Sequence, residues 1–470
     1  MKERRIPSTI AHPFPDNVSR PFWAFRDKKS LADEFFDCYV SFKELKCHEY
    51  FWEWQSRPLD ETLVKKLVKS YKFFKDHPIG DKRFVTFIVN NNNVKDLGKL
   101  YMSIILSNEF AKQKKFPSPP LFEVVHPGKS TNSLMHFIKL YSESVSIACD
   151  KFKKDVGPKN ISIIPTHDFS ISSGKWFKTM HDFIREYEQN FRTKIESIRP
   201  LIPRNLLADK LGFVASVLAT KRTLSNYHSF AQITGIEVMP IVQTSVLPFR
   251  GGLSPDNIKE FALTYPGIRS ATISASFRYD FPVDKVIPAV GALNRGLHHV
   301  PKKIFTQKEG QTIKKVEDIF ANNYKKSMES FPDMKITRDS LPPQLKDSFT
   351  LYSLGIPPEL IGVGTSLLEL INTKMMKDLE DIYNIKADIR KASQLLNKEN
   401  LNLLSKTAKF WKDLKKDIAL VEDYVGDLGP QTTDDFLHRN HTSNVFHNMM
   451  AGRDITKDLE AAAKARHSLG

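Results

Sequence analysis

Three arginines and a histidine are the residues in this chain best suited by type to handle a small, multiply charged anion. Arg204 and Asn205 follow the run IRPLIP, Arg250 with Gly251 and Gly252 follows EVMPIVQ, and Arg278 with Asp280 follows SATISA. Thr166, His167 and Asp168 follow ISIIP, and His12 lies in TIAHPFPDN near the start. A guanidinium presents a planar fork of N–H donors that matches carboxylate and phosphate oxygens. A glycine pair beside an arginine lets backbone N–H groups come close to such oxygens. A hard divalent ion such as Mg2+ takes one or two carboxylates and keeps several waters, and Asp168 is the candidate ligand. Each residue also has a plainer reading. An arginine after a strand is commonly a solvated loop residue, PFRGG reads equally as a tight turn, and His12 and His167 taken singly read as structural. Their shared place at strand ends is what favours a site.

The runs that position these residues are short and apolar on both faces, as buried parallel strands are. They are FVTFIV (84–89), LFEVVH (121–126), ISIIPT (161–166), IRPLIP (198–203), EVMPIVQ (237–243) and SATISA (270–275), at spacings that leave room for a connecting helix. Segments near Ile6 and near 335–337 supply two more. The fold class expected is α/β, a TIM-like barrel of eight strands and eight helices with many additional helices, whose site lies on the loops after the strands. An open doubly wound sheet competes, but neither GxGxxG nor a P-loop occurs. The segment 30–76 reads as helical throughout, with Trp52, Trp54, Phe73 and Phe74 as core or interface. The chain reads as one barrel-based domain over 1–470: an N-terminal segment with helices to 80, barrel elements over 81–345, and a charged helical layer over 346–470 that covers the barrel or forms a subunit interface. His298, His299, His438, His441 and His447 read as surface residues.

Composition is that of a folded protein: 41% hydrophobic and 26% charged, which excludes wholesale disorder. Lys and Arg number 70 against 54 Asp and Glu, a formal +16. That excess suits an anionic partner, or simply solubility, since the lysines are dispersed. Neither an aromatic-interleaved basic motif nor a nucleic-acid module is present, which argues against nucleic acid as a partner. Three cysteines without zinc-ligand spacing suit a reducing, cytoplasmic setting. The N-terminus lacks a signal-peptide apolar region, and no apolar run is long enough to span a membrane.

TSVLPFRGGLSPDNIKEF followed by SATISASFRYD resembles the signature region of archaeal-type phosphoenolpyruvate carboxylase. IPSTIAHPFPDN is similar to a family opening of the form STQHPDN. GFVASVLATKRTLS, LYSLGIPPELIG and the closing RHSLG extend the likeness from about residue 6 to residue 470. The resemblance implies carboxylation of phosphoenolpyruvate with bicarbonate to oxaloacetate and phosphate, with Mg2+ or Mn2+, by a homotetramer. It makes His12 the general base for carboxyphosphate breakdown, with Arg250 and Arg278 as the other catalytic residues. Arg204, Gly251, Gly252 and Arg466 become substrate-binding, with residues 466–470 reaching back to the site. It makes Asp168 and Asn205 the metal ligands, and it expects both to share one pocket with Arg250.

The chain departs from the family pattern at charged positions. HPFPDN carries two extra residues. A family pattern like IPLFED reads IPTHDF, so Asp168 stands where the family has a metal-binding Glu. A pattern like ARSDPAMNYG reads PRNLLADKLG, which puts Leu206 at the second metal carboxylate, with Asn205 beside it and Asp209 one helical turn on. A basic stretch before LYSLG is shortened, with Arg338 as its remnant. A second function class therefore stands beside the enzyme: a weak or inactive relative that binds an anion or serves as a subunit partner.

Overall fold

The computed structural model describes residues 6–12, 31–53, 62–89, 94–153, 158, 160–334, 336 and 346–468. Eight parallel strands form its centre: β1 (Thr9–Ala11), β2 (Glu49–Glu53), β3 (Phe84–Ile88), β4 (Glu123–His126), β5 (Ser162–Pro165), β6 (Leu201–Ile202), β7 (Ile241–Val242) and β8 (Ser270–Ile273). The ladder runs β5-β4-β3-β2-β1-β8-β7-β6. A bridge between Thr166 and Leu201, with the His167 N–H donating to the Leu201 carbonyl at 2.8 Å, brings the last strand back to the first. The result is the expected TIM-like barrel with helices around it.

Alternation along each strand explains the two-sided apolar runs. Ile10, Phe51, Ile88, Val125, Ile164, Leu201 and Ile241, one from each of seven strands, form a single buried cluster inside the barrel. Thr272 of β8 lies in register with Ile10 and completes this level. The alternate positions, such as Tyr50, Trp52, Val85, Phe87 and Val124, join the core between strands and helices. β6 and β7 are short because Pro200 and Pro240 lack the N–H that a ladder needs. Their register nevertheless continues beyond the prolines, with Ser197 opposite Glu237 and Ile198 opposite Val238.

The strand β2 corrects the sequence reading, which placed only helices in 30–76. Helices Leu31–Lys43, Leu63–Ser70 and Phe73–Asp76 are present, but EYFWE between them is a barrel strand. Its signal was a run of three strand-forming aromatics, Tyr50, Phe51 and Trp52, too short to stand out between amphipathic helices. The segment near Ile6 does lead into β1. Residues 335 and 337 lie outside the described residues, while Ile336 is buried in the C-terminal core and the barrel closes without it.

Residues beyond 346 fold as helices around a second core that contains Leu351, Leu360, Leu367, Trp411, Leu414 and Val445. Helices Phe213–Thr234 and Gln307–Met328 contribute one wall of this core, and Leu247 and Phe249, from the loop after β7, contribute another. The helical layer thus rests on one of the loops that carry the candidate site. No helix among the described residues is long and apolar enough to cross a membrane.

Candidate active site

His12 follows β1 at an inward position, since Ile10 two residues earlier faces the barrel interior. Its ring meets Phe51 edge-on at 6.1 Å, and its N–H donates to the Ile273 carbonyl at 3.0 Å. The imidazole therefore stands over the apolar interior at the mouth of the barrel. Arg278, after β8, is buried on the other side of this strand end. Its Nε donates to the Ser274 carbonyl, Nη1 to Asp37, Ser41 and Tyr279, and Nη2 to Asp37 and the His12 carbonyl. Asp37 lies on helix Leu31–Lys43, so the guanidinium ties β8, β1 and that helix together.

Arg204 is also buried, with every nitrogen engaged. Nε donates to the Tyr265 hydroxyl at 3.1 Å, Nη1 to the Phe249 carbonyl at 2.9 Å and Nη2 to the Pro248 carbonyl at 3.3 Å. It grips the one-turn helix Pro248–Arg250, which presents Arg250. The two glycines end that turn. Gly251 has φ +115°, and a Cβ there would lie 3.0 Å from the Thr244 side chain. Its N–H donates to the Pro248 carbonyl, and that of Gly252 donates to the Leu247 carbonyl. The glycine amides therefore close the turn on itself. Arg204, Gly251, Gly252 and Arg466 line a single cavity of about 530 Å³ between this loop and the C-terminal helices, with Lys391, Asp388 and Asp434 on its wall.

Arg250 and Arg466 differ from the other two arginines. Both are buried, yet Nε and Nη2 of Arg250 and Nη1 of Arg466 have no hydrogen-bond partner among the described residues. They line one small cavity of about 10 Å³ with Leu247, Ser348, Phe349, Tyr352 and Ser468. That is roughly the room for one water-sized oxygen. Arg466 arrives from the end of helix Thr456–Ala465, donates through Nε to Ser468 and lies over the rings of Phe349 and Tyr352 at 5.9 and 5.8 Å. Burial lowers its pKa to about 10. His467 continues the docking by stacking on Phe281 at 4.3 Å. Leu469 and Gly470 lie outside the described residues, as does Arg338.

Asp209, on helix Arg204–Leu211, adds a carboxyl to this neighbourhood. Burial pushes its pKa up to about 6 against the pull of Arg250, and Asp347 adds to the rise. Its Oδ2 has no partner among the described residues, and neither does Oδ1 of Asn205 one turn earlier. Asn205 is fixed by its N–H, which donates to the Gln243 carbonyl at 2.9 Å. Asp168 is half-exposed after β5. Burial alone would raise its pKa, but two hydrogen bonds from Ser170 outweigh that and hold it below its ordinary value. Asp168 and Asn205 thus occupy neighbouring strand ends, and neither lines the two cavities around Arg250. His167 packs among Phe169, Trp176 and Tyr227, where burial, and then Arg222, lower its pKa to about 3.

The hard oxygens of Asp168 and Asn205 are of the kind Mg2+ prefers, and Asn205 Oδ1 is buried without a partner among the described residues. Among the described residues, no group of three or more His, Cys, Asp or Glu side chains gathers to hold a metal. Two oxygen donors on neighbouring strand ends do not make a dedicated protein cage, and a divalent ion held there would take most of its ligands from water and substrate.

The sequence model of the family described as phosphoenolpyruvate carboxylase matches residues 6–338 and 333–470. The chain belongs to the archaeal-type phosphoenolpyruvate carboxylase family. A phosphoenolpyruvate carboxylase of Leuconostoc mesenteroides subsp. mesenteroides is 25% identical over 505 aligned positions, covering 100% of both chains. That of Metallosphaera sedula is 26% identical, covering 91% of this chain and 92% of its own, and that of Pyrococcus horikoshii is 28% identical, covering 76% and 82%.

Within this carboxylase-family fold the structure brings Arg250, Arg466 and the glycine turn together, and it places His12 at the barrel mouth with Arg278 bonded to its carbonyl. Sequence reasoning quoted LYSLGIPPELIG without assigning a role to Tyr352 or Glu359. Both are buried beside Arg250, and a glutamate inside an otherwise apolar run was the available signal. It also read His438 as a surface residue. This histidine is fully buried, and burial, with Arg466 second, holds it well below the usual imidazole range.

Proposed function

We propose that the protein carboxylates phosphoenolpyruvate with bicarbonate, giving oxaloacetate and inorganic phosphate. The observation that carries this reading is the pair of buried guanidinium groups, Arg250 and Arg466, which line one small cavity and keep N–H donors without partners among the described residues. Buried donors without acceptors are costly unless an anion takes them. In the proposed reaction a bicarbonate oxygen attacks phosphorus, and the bond from phosphorus to the enol oxygen breaks. Enolate and carboxyphosphate result. His12 accepts the carboxyphosphate proton as that species splits into carbon dioxide and phosphate, and the enolate carbon then attacks carbon dioxide. Every species except carbon dioxide is anionic, so Arg250 and Arg466 act by electrostatic stabilisation. Arg204 and Arg278 contribute by fixing the Arg250 turn and the His12 backbone.

In this reading Asp168 and Asn205 hold Mg2+ or Mn2+, which when bound neutralises charge on substrate oxygens. Buried, unpaired Cys38 and Cys47 are consistent with a reducing, cytoplasmic setting. The assembly proposed is a homotetramer, for which sedimentation would give four times the 53.9 kDa chain mass. A second reading, an anion-binding relative without turnover, is favoured by the sparse metal-ligand set.

Purified protein with phosphoenolpyruvate, bicarbonate and Mg2+, coupled to malate dehydrogenase, should consume NADH. No consumption above background with either Mg2+ or Mn2+ would reject the enzyme, and calorimetric titration with phosphoenolpyruvate would then test the second reading. Arg250→Ala should cut turnover by about 100-fold or more while leaving the melting temperature near that of the wild type. Near-normal rates in that variant would remove the turn from the site.

A further inference from the structure

Glu359 lies in the one-turn helix Pro358–Leu360 of the C-terminal layer and is buried. Its Oε1 accepts two hydrogen bonds. One comes from the backbone N–H of Phe249 at 2.9 Å, immediately before Arg250, and the other from the Tyr352 hydroxyl at 2.5 Å. The opposite edge of the same turn is held by Arg204 through the Pro248 and Phe249 carbonyls. The turn is therefore gripped on its N–H side by a carboxyl and on its C=O side by a guanidinium. Tyr352 in turn forms the wall of the small cavity and lies under Arg466. One oxygen atom thus touches the supports of both Arg250 and Arg466.

We propose that Glu359 is a positioning residue that fixes the Arg250 turn and the Tyr352 wall as one unit, so that Arg250 and Arg466 address the same anionic group of the substrate. This rests on the carboxylase reading for the identity of the anion, but the positioning itself does not. A carboxyl is suited to the task because a single oxygen accepts two donors from different directions. Phe249, Tyr352 and Glu359 are all buried, and water does not reach them to replace a lost acceptor. Burial pushes the Glu359 carboxyl up to about 7, against the bonds from Tyr352 and Phe249. The bonds to Oε1 survive in either protonation state, because a proton can reside on the partnerless Oε2.

Hydrogen–deuterium exchange on the full chain, followed in a peptide spanning 245–253, tests the positioning without reference to activity. Glu359→Gln keeps an oxygen that accepts both bonds and should leave exchange within about twofold of the wild type. Glu359→Ala removes it and should speed exchange by about tenfold or more, the equivalent of one lost buried bond. Should that variant not fold, Glu359→Asp makes the same comparison, because its shorter arm withdraws the oxygen from both donors. In the coupled assay Glu359→Ala or Glu359→Asp should lower kcat/KM by about tenfold or more, and Glu359→Gln should restore it. Their loss should shrink to under about threefold in an Arg250→Lys background, since residues acting as a unit are not additive. Wild-type protection of 245–253 in both Glu359→Ala and Glu359→Asp, or full additivity with Arg250→Lys, overturns the role. An inactive wild-type protein overturns the carboxylase reading instead, and the exchange result still decides the positioning.

Discussion

Residue type points to Arg204, Arg250 and Arg278 and the family resemblance adds Arg466, yet their neighbours divide the four into two kinds. Arg204 and Arg278 spend their donors on carbonyls, hydroxyls and Asp37, while Arg250 and Arg466 keep N–H groups unfilled among the described residues. The side chain's identity was legible in the sequence, but its hydrogen-bond account was not, because the partners come from residues tens to hundreds of positions away. Asp209 shows the same limit. Its pKa is raised to about 6 from an ordinary 3.8, by burial first. A carboxyl whose folded value lies above its unfolded one opposes folding once it ionises, so stability falls as pH rises across that window and is flat beyond it. Asp209→Asn should therefore be more stable than the wild type above about pH 6, by roughly 2 kcal/mol, with the advantage gone below about pH 4. Thermal melts across pH 4 to 8 check this, and a gap that does not change with pH would be the contrary result.

At the scale of elements, close approach decides what the sequence pattern alone left open. Helix Val363–Leu370 packs on helix Lys409–Val425 so tightly that a Cβ at Gly364 would lie 1.9 Å from the Asp417 carbonyl oxygen. The Thr365 N–H and hydroxyl both donate to the Asp417 carboxylate across the same contact, the N–H at 2.5 Å. Because the obstructing atom is backbone, Gly364→Ala must move a helix. The expected cost is about 1–3 kcal/mol or more, read as a lower urea midpoint with an unchanged slope. A midpoint within error of the wild type would mean the helices can separate cheaply. The amphipathic periodicity announced these helices, but which glycine lies at a crossing depends on the crossing itself. Strand β2 was hidden for the converse reason: it spans only five residues, with its aromatics in one short run, and the amphipathic helices around it carry the stronger period.

The whole molecule is a barrel with two differently charged levels. Above lies the apolar level headed by Ile10 and Phe51, and towards the other end of the strands sits a buried ionic cluster. Arg199 donates to Glu49 through Nη2 at 2.5 Å and to Glu123 through Nη1 at 2.6 Å, and Thr86 adds a bond to Glu49. One guanidinium therefore serves carboxylates on β2 and β4 across the barrel interior. Removing it leaves two buried charges without their partner, so Arg199→Met should cost about 3–5 kcal/mol, seen in denaturant titration. A loss under about 1 kcal/mol would show that water enters the barrel to replace it. The sequence by itself determined most of the parallel strands, the helical C-terminal layer and the family, because those follow from short-range periodicity and from motifs read in order along the chain. Tertiary structure alone decided that Arg250 and Arg466 keep donors unfilled among the described residues, that Glu359 and Tyr352 support them, and that Arg199 bridges the barrel. Each of these depends on groups from distant segments being desolvated together, and burial of that kind is a property of the packed fold that no local run of residues carries.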